Sequence, residues 1–567
     1  MLKIKICYDM ENEGEKMEEQ TIKVKEKRAP SFMRNVVILM CSHLLVKILG
    51  FIYKIVITNV EGFGDTGVGY YSAGAQIYSL LLTLSSTGIP SAISKLVSER
   101  LAIGDKVGAQ RIFKIALAFF TVLGLVFSLG LFFGADFIAC NILNIPDTAL
   151  VMKVLAPGIV FVSISSVLTG YFSGQQNMKP TSISQTLEQF LNCVLSIMFV
   201  YACVGKDAYI MAAAGNLSTT LSILISFTYM VIYYKRKRIV PEEGQISPER
   251  NKTNRQLLKI VLSIAIPLTI GSIISVIGSV IDTTIISNCI QIAYADTGMT
   301  KEALENLAMS KSGIITKVDT LVTFPIAINT AFATALIPAI SEAIAKKDYK
   351  SANKKMRFSI FATILIILPC AMGLTILAEP VLKMLYPAAS DGTFVLQLST
   401  ISMIFLALNY TINGGLYGLN KTKVPVIALG IGIIIKTVLG IVLISNPDIN
   451  IIGAVIGSIV CQLISFAICF RVLKINLNLK FDKKKMILKP LIATAIMGVV
   501  VWLSYYILNT IIGNTLSTVI SIVVGVIVYL IAIISLKALS KDDILSIPFG
   551  NKIYKILVKL HFYKETV

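Results

Sequence analysis

Long apolar runs, separated by short polar breaks, recur from residue 35 to residue 536. Each run holds about 20 or more mostly apolar positions, the length an α-helix needs to cross the hydrocarbon core of a bilayer. The pattern predicts spans at 35–59, 71–95, 112–139, 154–173, 182–203, 209–233, 257–287, 315–342, 358–382, 394–419, 424–445, 451–473, 487–511 and 516–536. That makes about fourteen helices, and several exceed 25 residues, long enough to tilt or to project beyond the bilayer.

The polar breaks alternate in charge. One set carries Arg100, Lys106 and Arg111, then the run Lys235-Arg236-Lys237-Arg238, then Lys346, Lys347, Lys350, Lys354 and Lys355. It continues with Lys421, Lys423, Lys483, Lys484, Lys485 and both terminal tails. In the other set, 135–151, 446–450 and the turn near Gly513 contain no Lys or Arg. Cytoplasmic loops of membrane proteins are enriched in Lys and Arg. The alternation therefore predicts an even span count, a multi-pass protein of the cytoplasmic membrane, and both termini in the cytoplasm.

The longest polar linker, 235–256, falls between the sixth and seventh spans. An internal repeat supports a division there. The fourth span ends in Gly170-Tyr-Phe-Ser-Gly174, and the tenth in Gly414-Gly-Leu-Tyr-Gly418, 244 residues later. The second ends in Ile89-Pro90-Ser91-Ala92-Ile93-Ser94, and the eighth in Ile337-Pro338-Ala339-Ile340-Ser341, at an offset of 247 or 248. A repeated unit with an even number of spans keeps its orientation, so the two lobes should be related by an axis along the membrane normal and enclose a cavity. The expected organisation is a cytoplasmic tail 1–34, an N-lobe 35–234, a cytoplasmic linker 235–256 and a C-lobe 257–473. A cytoplasmic loop 474–486, two further helices within 487–536 and a cytoplasmic tail 537–567 complete it. The fold class is all-α integral membrane.

Composition agrees: 55% of the 567 residues are hydrophobic and only 15% charged, against roughly 25% charged in soluble chains. The net charge of +20 is spread between spans instead of forming one patch, which excludes nucleic acid as a partner. The nine cysteines are scattered without a CxxC pair and the chain has two histidines, so neither a disulfide framework nor a metal site is expected. The charged first 34 residues lack the apolar core of a cleavable signal peptide. No nucleotide-binding GxxxxGK[ST] and no persuasive nucleophile–base pair appears, so neither ATP-driven transport by this chain alone nor enzymatic catalysis is expected.

Charged residues inside spans are costly and normally face a cavity or a partner. His43, Lys47 and Lys54 in the first span are four and seven positions apart, which puts them on one helical face near Gly50. They form a cationic wall for an anionic substrate. In the alternative, Lys54 snorkels, His43 lies near the inner surface and Lys47 meets a carboxylate. Lys317 and Asp319 in the eighth span, Asp282 in the seventh, Glu188 in the fifth and Lys436 in the eleventh are further candidates. Asp282 and Asp319 either neutralise Lys47 or Lys317 or carry a coupling cation or proton. Glu188 is expected near the surface with a partner, and Lys436 in an ion pair or on the substrate. Gly88, Pro90, Pro325, Pro338 and Pro369 are expected to interrupt helices, as hinges or static kinks.

Leu49-Gly50-Phe51, Gly88-Ile89-Pro90 with Ser94-Lys95, and Phe324-Pro325 followed by Ala335-Leu336-Ile337-Pro338-Ala339-Ile340-Ser341 resemble the MurJ and stage V sporulation protein B group. The group belongs to the superfamily of multidrug and oligosaccharidyl-lipid/polysaccharide exporters. The stretch 67–98 is most similar to the sporulation-protein-B branch. The resemblance implies two six-helix lobes plus two C-terminal helices that form a groove for a polyprenyl tail. It implies flipping of lipid II, a polyprenyl diphosphate-linked saccharide, during cell-wall or spore-cortex synthesis, with membrane lipid and cell-wall synthesis proteins as partners. It places Lys47 at a cationic cavity position and sets Lys54 one residue from another, where Tyr53 stands. Asp319 is kept, Thr320 replaces an arginine, and the second-span cation gives way to an apolar residue near Leu81 or Leu82. No cofactor is implied; coupling by Na+, H+ or the membrane potential stays open. Another polyprenyl-linked saccharide (teichoic acid, capsule, O-antigen) is the alternative cargo. A cation-coupled multidrug exporter would instead want an acidic, aromatic pocket. A scaffold would have no use for costly intramembrane lysines.

Overall fold

The structure is a computed structural model that describes residues 45–240, 252–479, 481–482 and 484–540, with the side chains at 328, 331, 332, 334 and 335 excepted. His43, most of both tails and half of the 235–256 linker lie outside the described residues. The described chain is helical. In the first half it runs α1 (45–58), α2 (Gly64–Ser86), α3 (Ile89–Ala102), α4 (Lys106–Phe137), α5 (Thr148–Leu155), α6 (Gly158–Gly174), α7 (Lys179–Ala202) and α8 (Ala208–Lys237). The second half holds α9 (Asn254–Ala293), α10 (Lys301–Ala345), α11 (Tyr349–Ile376), α12 (Ala378–Leu385), α13 (Thr393–Gly418), α14 (Lys423–Ile444) and α15 (Ile452–Leu477). Then come α16 (Lys489–Ile512) and α17 (Asn514–Ser535).

Among the described residues, twelve helical segments are long and apolar enough to cross a membrane. Two of them, Gly64–Ala102 and Thr148–Gly174, join consecutive helices, α2 with α3 and α5 with α6. The more polar α10, with Lys317 and Asp319, and α1 bring the count to about fourteen. The chain is an all-α, multi-pass membrane protein. The loops after α3, α6, α8, α10, α13 and α15 share one end, the basic end; those after α1, α4, α7, α9, α12 and α14 share the opposite end.

The repeat is written in backbone hydrogen bonds. After α3, Asp105 N donates to Arg100 O (2.9 Å), with Gly104 left-handed at φ 77°; after α10, Asp348 N donates to Ala343 O (2.8 Å), with Lys347 at φ 57°. Each aspartate then caps the next helix, Asp105 accepting from Gly108 N (2.7 Å) and Asp348 from Ser351 N (2.9 Å). Both are helix stops of the Schellman type, in which a left-handed residue lets the last carbonyls find donors. After α6 and α13 the same turn recurs, with Gln176 at φ 58° and Asn420 at φ 59°.

The paired glycines complete the correspondence. A Cβ on Gly170 would lie 2.8 Å from Pro90 O, and one on Gly414 would lie 2.7 Å from Ala333 O. One on Gly174 would meet Val97 and Ser94 O, and one on Gly418 would meet Ile340 and Ile337 O. Small residues let helix backbones approach this closely. These contacts set the second repeat at an offset of 243, not the 247 or 248 read from the Ile-Pro motifs. Pro90 corresponds to Ala333, and Pro338 has slipped five residues along its helix.

The prolines also differ from expectation. The second span does break, between α2 and α3 at Thr87 and Gly88, and Pro90 falls in the first turn of α3, where its missing N–H is not needed. Pro325 and Pro338 lie inside an unbroken α10 and Pro369 inside an unbroken α11. Pro267, inside α9, is a further one that the sequence pattern had not singled out. The glycine pairs place α6 against α3 and α13 against α10 within their lobes. The α16–α17 pair packs on the C-lobe through Gly498 against Met372 and Ile376, and through Tyr529 Oη donating to Leu365 O (2.8 Å).

Candidate functional site

The lobes meet along α2 and α10. Near the opposite end the two backbones touch: a Cβ on Gly69 would lie 1.9 Å from Met309 O, and one on Gly313 would lie 1.8 Å from Asp65 O. No other residue fits at either position without moving a helix. Beside this contact Lys317 of α10 meets Asp65 of α2, its Nζ 2.7 Å from Oδ1 and 3.0 Å from Oδ2. The same Nζ donates to Ala389 O and stands 5.5 Å over the Tyr386 ring. Lys317 is 2% exposed and Asp65 8%. A lysine ammonium has three protons to donate, and the acceptors around Lys317 use them. Lys317 thus ties α2, α10 and the 386–392 loop together, and it also lines the adjoining cavity. Thr316 Oγ1 donates to Ser72 Oγ (3.0 Å) and Tyr70 Oη to Asn306 Oδ1 (3.2 Å) along the same seam.

Immediately inside the seal lies a cavity of about 140 Å³ lined by Lys54, Tyr71, Ser72, Gln76, Thr316 and Thr320 among others. A second, of about 300 Å³, shares Gln76 and Thr316 with it and reaches Asp282, Asp319, Lys436 and Gln462. The two form one inter-lobe space walled by α1, α2, α9, α10, α13, α14 and α15.

Its charges are arranged unequally. Lys436 of α14 contacts Asp282 of α9 as an ion pair, both side chains half-buried. Neither aspartate neutralises Lys47 or Lys317, as the sequence had allowed; the partners are Lys436 for Asp282 and Asp65 for Lys317. Asp319 is exposed in the cavity and makes no ion pair among the described residues. Lys54 likewise has no ion-pair partner among the described residues, while Lys47 and Asp319 both act on it electrostatically. Lys47 itself is exposed on α1 and outside the two cavities. Tyr53, at the position where the resemblance implies a cation, is buried with its Oη 3.3 Å from Tyr71 Oη. The one-residue shift thus leaves Lys54 on the cavity wall.

At the opposite end, outside the seal, Glu61, Asp147 and Asp207 of the N-lobe and Glu302 of α10 line a third cavity of about 640 Å³. Burial and the carboxylates of Glu302 and Asp207 hold the Asp147 carboxyl above its ordinary range. An anion held at Lys54 therefore faces a like-charged rim at that end.

A helical, twin-lobed membrane protein with a charged inter-lobe cavity has clear relatives. The family model described as polysaccharide biosynthesis protein matches residues 32–344. The chain belongs to the polysaccharide biosynthesis protein family. The MatE model matches residues 284–442 as well, and the family member is a membrane transporter of the MOP superfamily. Its sequence is 27% identical over 457 residues to stage V sporulation protein B of Bacillus subtilis (strain 168), covering 79% of this chain and 86% of that one. It is 27% identical over 495 residues to lipid II flippase MurJ of the same organism, covering 83% and 87%. Among solved structures, lipid II flippase MurJ in an inward closed conformation superposes with a TM-score of 0.66 at 15% identity, covering 88% of this chain and 98% of that one. An inward-facing multidrug resistance MATE family transporter of the MOP superfamily gives 0.62 at 15%, covering 76% and 94%. At that identity the structural likenesses establish the fold.

Sequence reasoning missed Asp65, Ser72, Gln76 and Thr316. Asp65 precedes the apolar run that marked the second span, whereas α2 already begins at Gly64. A signal existed: Lys317 has no carboxylate three or four residues away on its own helix, so its partner had to come from elsewhere.

Proposed function

We propose that this transporter flips a polyprenyl diphosphate-linked saccharide, the peptidoglycan precursor lipid II, from the inner to the outer leaflet of the cytoplasmic membrane by alternating access. The observation that carries the proposal is Lys54, a cation on the wall of the inter-lobe cavity that makes no ion pair among the described residues. A diphosphate entering a low-dielectric cavity needs compensating charge, and a lysine is a compact point charge suited to supply it. Lys47, seven residues earlier on the same face of α1, adds a second cation toward the basic end, and Thr320 lines the same cavity as Lys54 with its hydroxyl donated to Thr316 O.

The basic end is assigned to the cytoplasm, which places both termini there. The lobes correspond to 35–234 and 257–473, and the α16–α17 pair offers its apolar outer face to the polyprenyl tail. Trp502 and Tyr506 stack there, both exposed. A different polyprenyl diphosphate saccharide would use the same Lys54 contact, and only the cargo would change. A multidrug exporter for organic cations is the other reading, in which the unpaired Asp319 carboxylate and not Lys54 would meet the substrate. Equilibrium binding separates these readings. Lipid II and other polyprenyl diphosphate sugars should compete for the purified protein, while a polyprenol without the diphosphate should not. Tight binding of an organic cation with no diphosphate binding would overturn the proposal.

A further inference from the structure

The N-lobe contains a carboxyl within a span that no cation balances among the described residues. Glu188 of α7 makes no ion pair among the described residues, and its hydrogen bond comes from Ser226 Oγ of α8, 3.0 Å from Oε2. That hydroxyl is shared, since it also donates to Ile223 O (3.2 Å). Two further polar atoms of this region are buried without a partner: Tyr78 Oη of α2 and Gln185 Oε1, one turn before Glu188 on the same face of α7. Tyr78 is only 6% exposed. A Cβ on Gly158 of α6 would stand 2.9 Å from Tyr78 Oη and 3.5 Å from Ile223 Cδ1, so the phenol reaches the stretch of α8 from which Ser226 projects one turn later. Glu188 is the charged group that acts on that phenol.

A lone carboxylate inside a bilayer is expensive, whereas the neutral acid is not. An ionised carboxylate only accepts hydrogen bonds; a protonated one also donates. Tyr78 has an unused hydroxyl there and Gln185 an unused acceptor oxygen. A proton on Glu188 adds a donor for that oxygen and removes the charge in one step.

We propose that Glu188 is a reversible proton-carrying site of the N-lobe, its neutral carboxyl held by Ser226 and facing the Tyr78 and Gln185 oxygens. The other titratable or charged groups on the packed elements are Lys47, Tyr53 and Lys54 of α1, Tyr71 of α2, Cys193 of α7 itself and Tyr229 of α8. None of these bonds to Glu188. One proton would then enter and leave as the lobes rock, which links the transport cycle to a proton gradient. The inference rests on the transporter reading and not on which lipid is carried.

The test is infrared difference spectroscopy of the purified full chain between acidic and alkaline buffer, with no lipid substrate. The expected result is a protonated-carboxyl C=O stretch that disappears in Glu188→Gln. It should move to higher frequency in Ser226→Ala, where the carboxyl loses a hydrogen bond. If Glu188→Gln folds poorly, the Ser226→Ala shift alone identifies the band. A spectrum in which neither variant alters any titrating carboxyl band overturns the proposal. So does a band that appears in choline buffer and is abolished by sodium, which would identify a metal-ion site. In vesicles, an imposed pH gradient should change wild-type translocation several-fold and leave Glu188→Gln unaffected. Absence of lipid II movement with the infrared band intact would count against the lipid reading alone.

Discussion

Lys317, Lys436 and Lys54, all within spans, meet two different fates, decided by which carboxylates tertiary packing brings to them. Lys317 is consumed by Asp65, Lys436 by Asp282, and Lys54 is left facing the cavity. Removing one partner of a buried pair strands the other charge, at a cost of about 3–5 kcal/mol, whereas replacing both by apolar groups can be neutral. Lys317→Ala and Asp65→Ala should therefore each lower thermal stability strongly, and Lys317→Met with Asp65→Leu should recover most of it. A double variant as unstable as the singles would show that Lys317 has a role beyond the tie. The sequence revealed that each lysine sits in a span, but not its fate. Spacing along one helix puts residues on a face, and which face meets which neighbour is settled between residues 65 and 317, or 282 and 436, far apart in the chain.

At the scale of elements, apolar length made the spans legible and backbone contact made the seams. The α2–α10 crossing depends on Gly69 and Gly313, each within 2 Å of the other helix's carbonyl oxygen if given a Cβ. Gly313→Ala should push the helices apart and open the opposite end. In a cysteine-free background, a Thr66→Cys reporter should then react faster with an impermeant thiol reagent, and an unchanged rate would mean that the seam tolerates a methyl group. The matched turns offer a finer prediction. The first repeat uses Gly104 at its left-handed position and the second uses Lys347. A non-glycine residue there carries a strain of about 1–2 kcal/mol, so Lys347→Gly should raise the melting temperature slightly, and a fall would show that the lysine side chain stabilises the turn. These turns were invisible to motif matching because residue identity differs while the hydrogen bonding is kept. For the same reason the Ile-Pro motifs suggested an offset that the Gly contacts correct.

At the scale of the molecule, two lobes with a common turn pattern enclose a space that holds Lys54 without an ion-pair partner among the described residues, with a cluster of carboxylates outside its seal. The inter-lobe cavities, about 140 and 300 Å³, are too small for a complete saccharide–peptide head group, so under the proposed function the lobes would have to rock apart for it to enter. An electrostatic gradient from Lys47 past Lys54 to the acidic rim would draw the diphosphate in from the basic end and disfavour its lingering at the other. That architecture was legible early, from charge alternation and repeated glycine motifs; the closed seam was not, since it depends on the conformation adopted. The central claim is that Lys54 holds the diphosphate while the lobes change access. It is tested most directly by lipid II translocation in vesicles reconstituted with wild type, Lys54→Ala and Lys54→Arg. One charge-assisted contact contributes about 1.5–3 kcal/mol, so the account predicts a loss of about 10- to 100-fold in Lys54→Ala, with partial recovery in Lys54→Arg and normal folding in both. Wild-type rates in Lys54→Ala would contradict it.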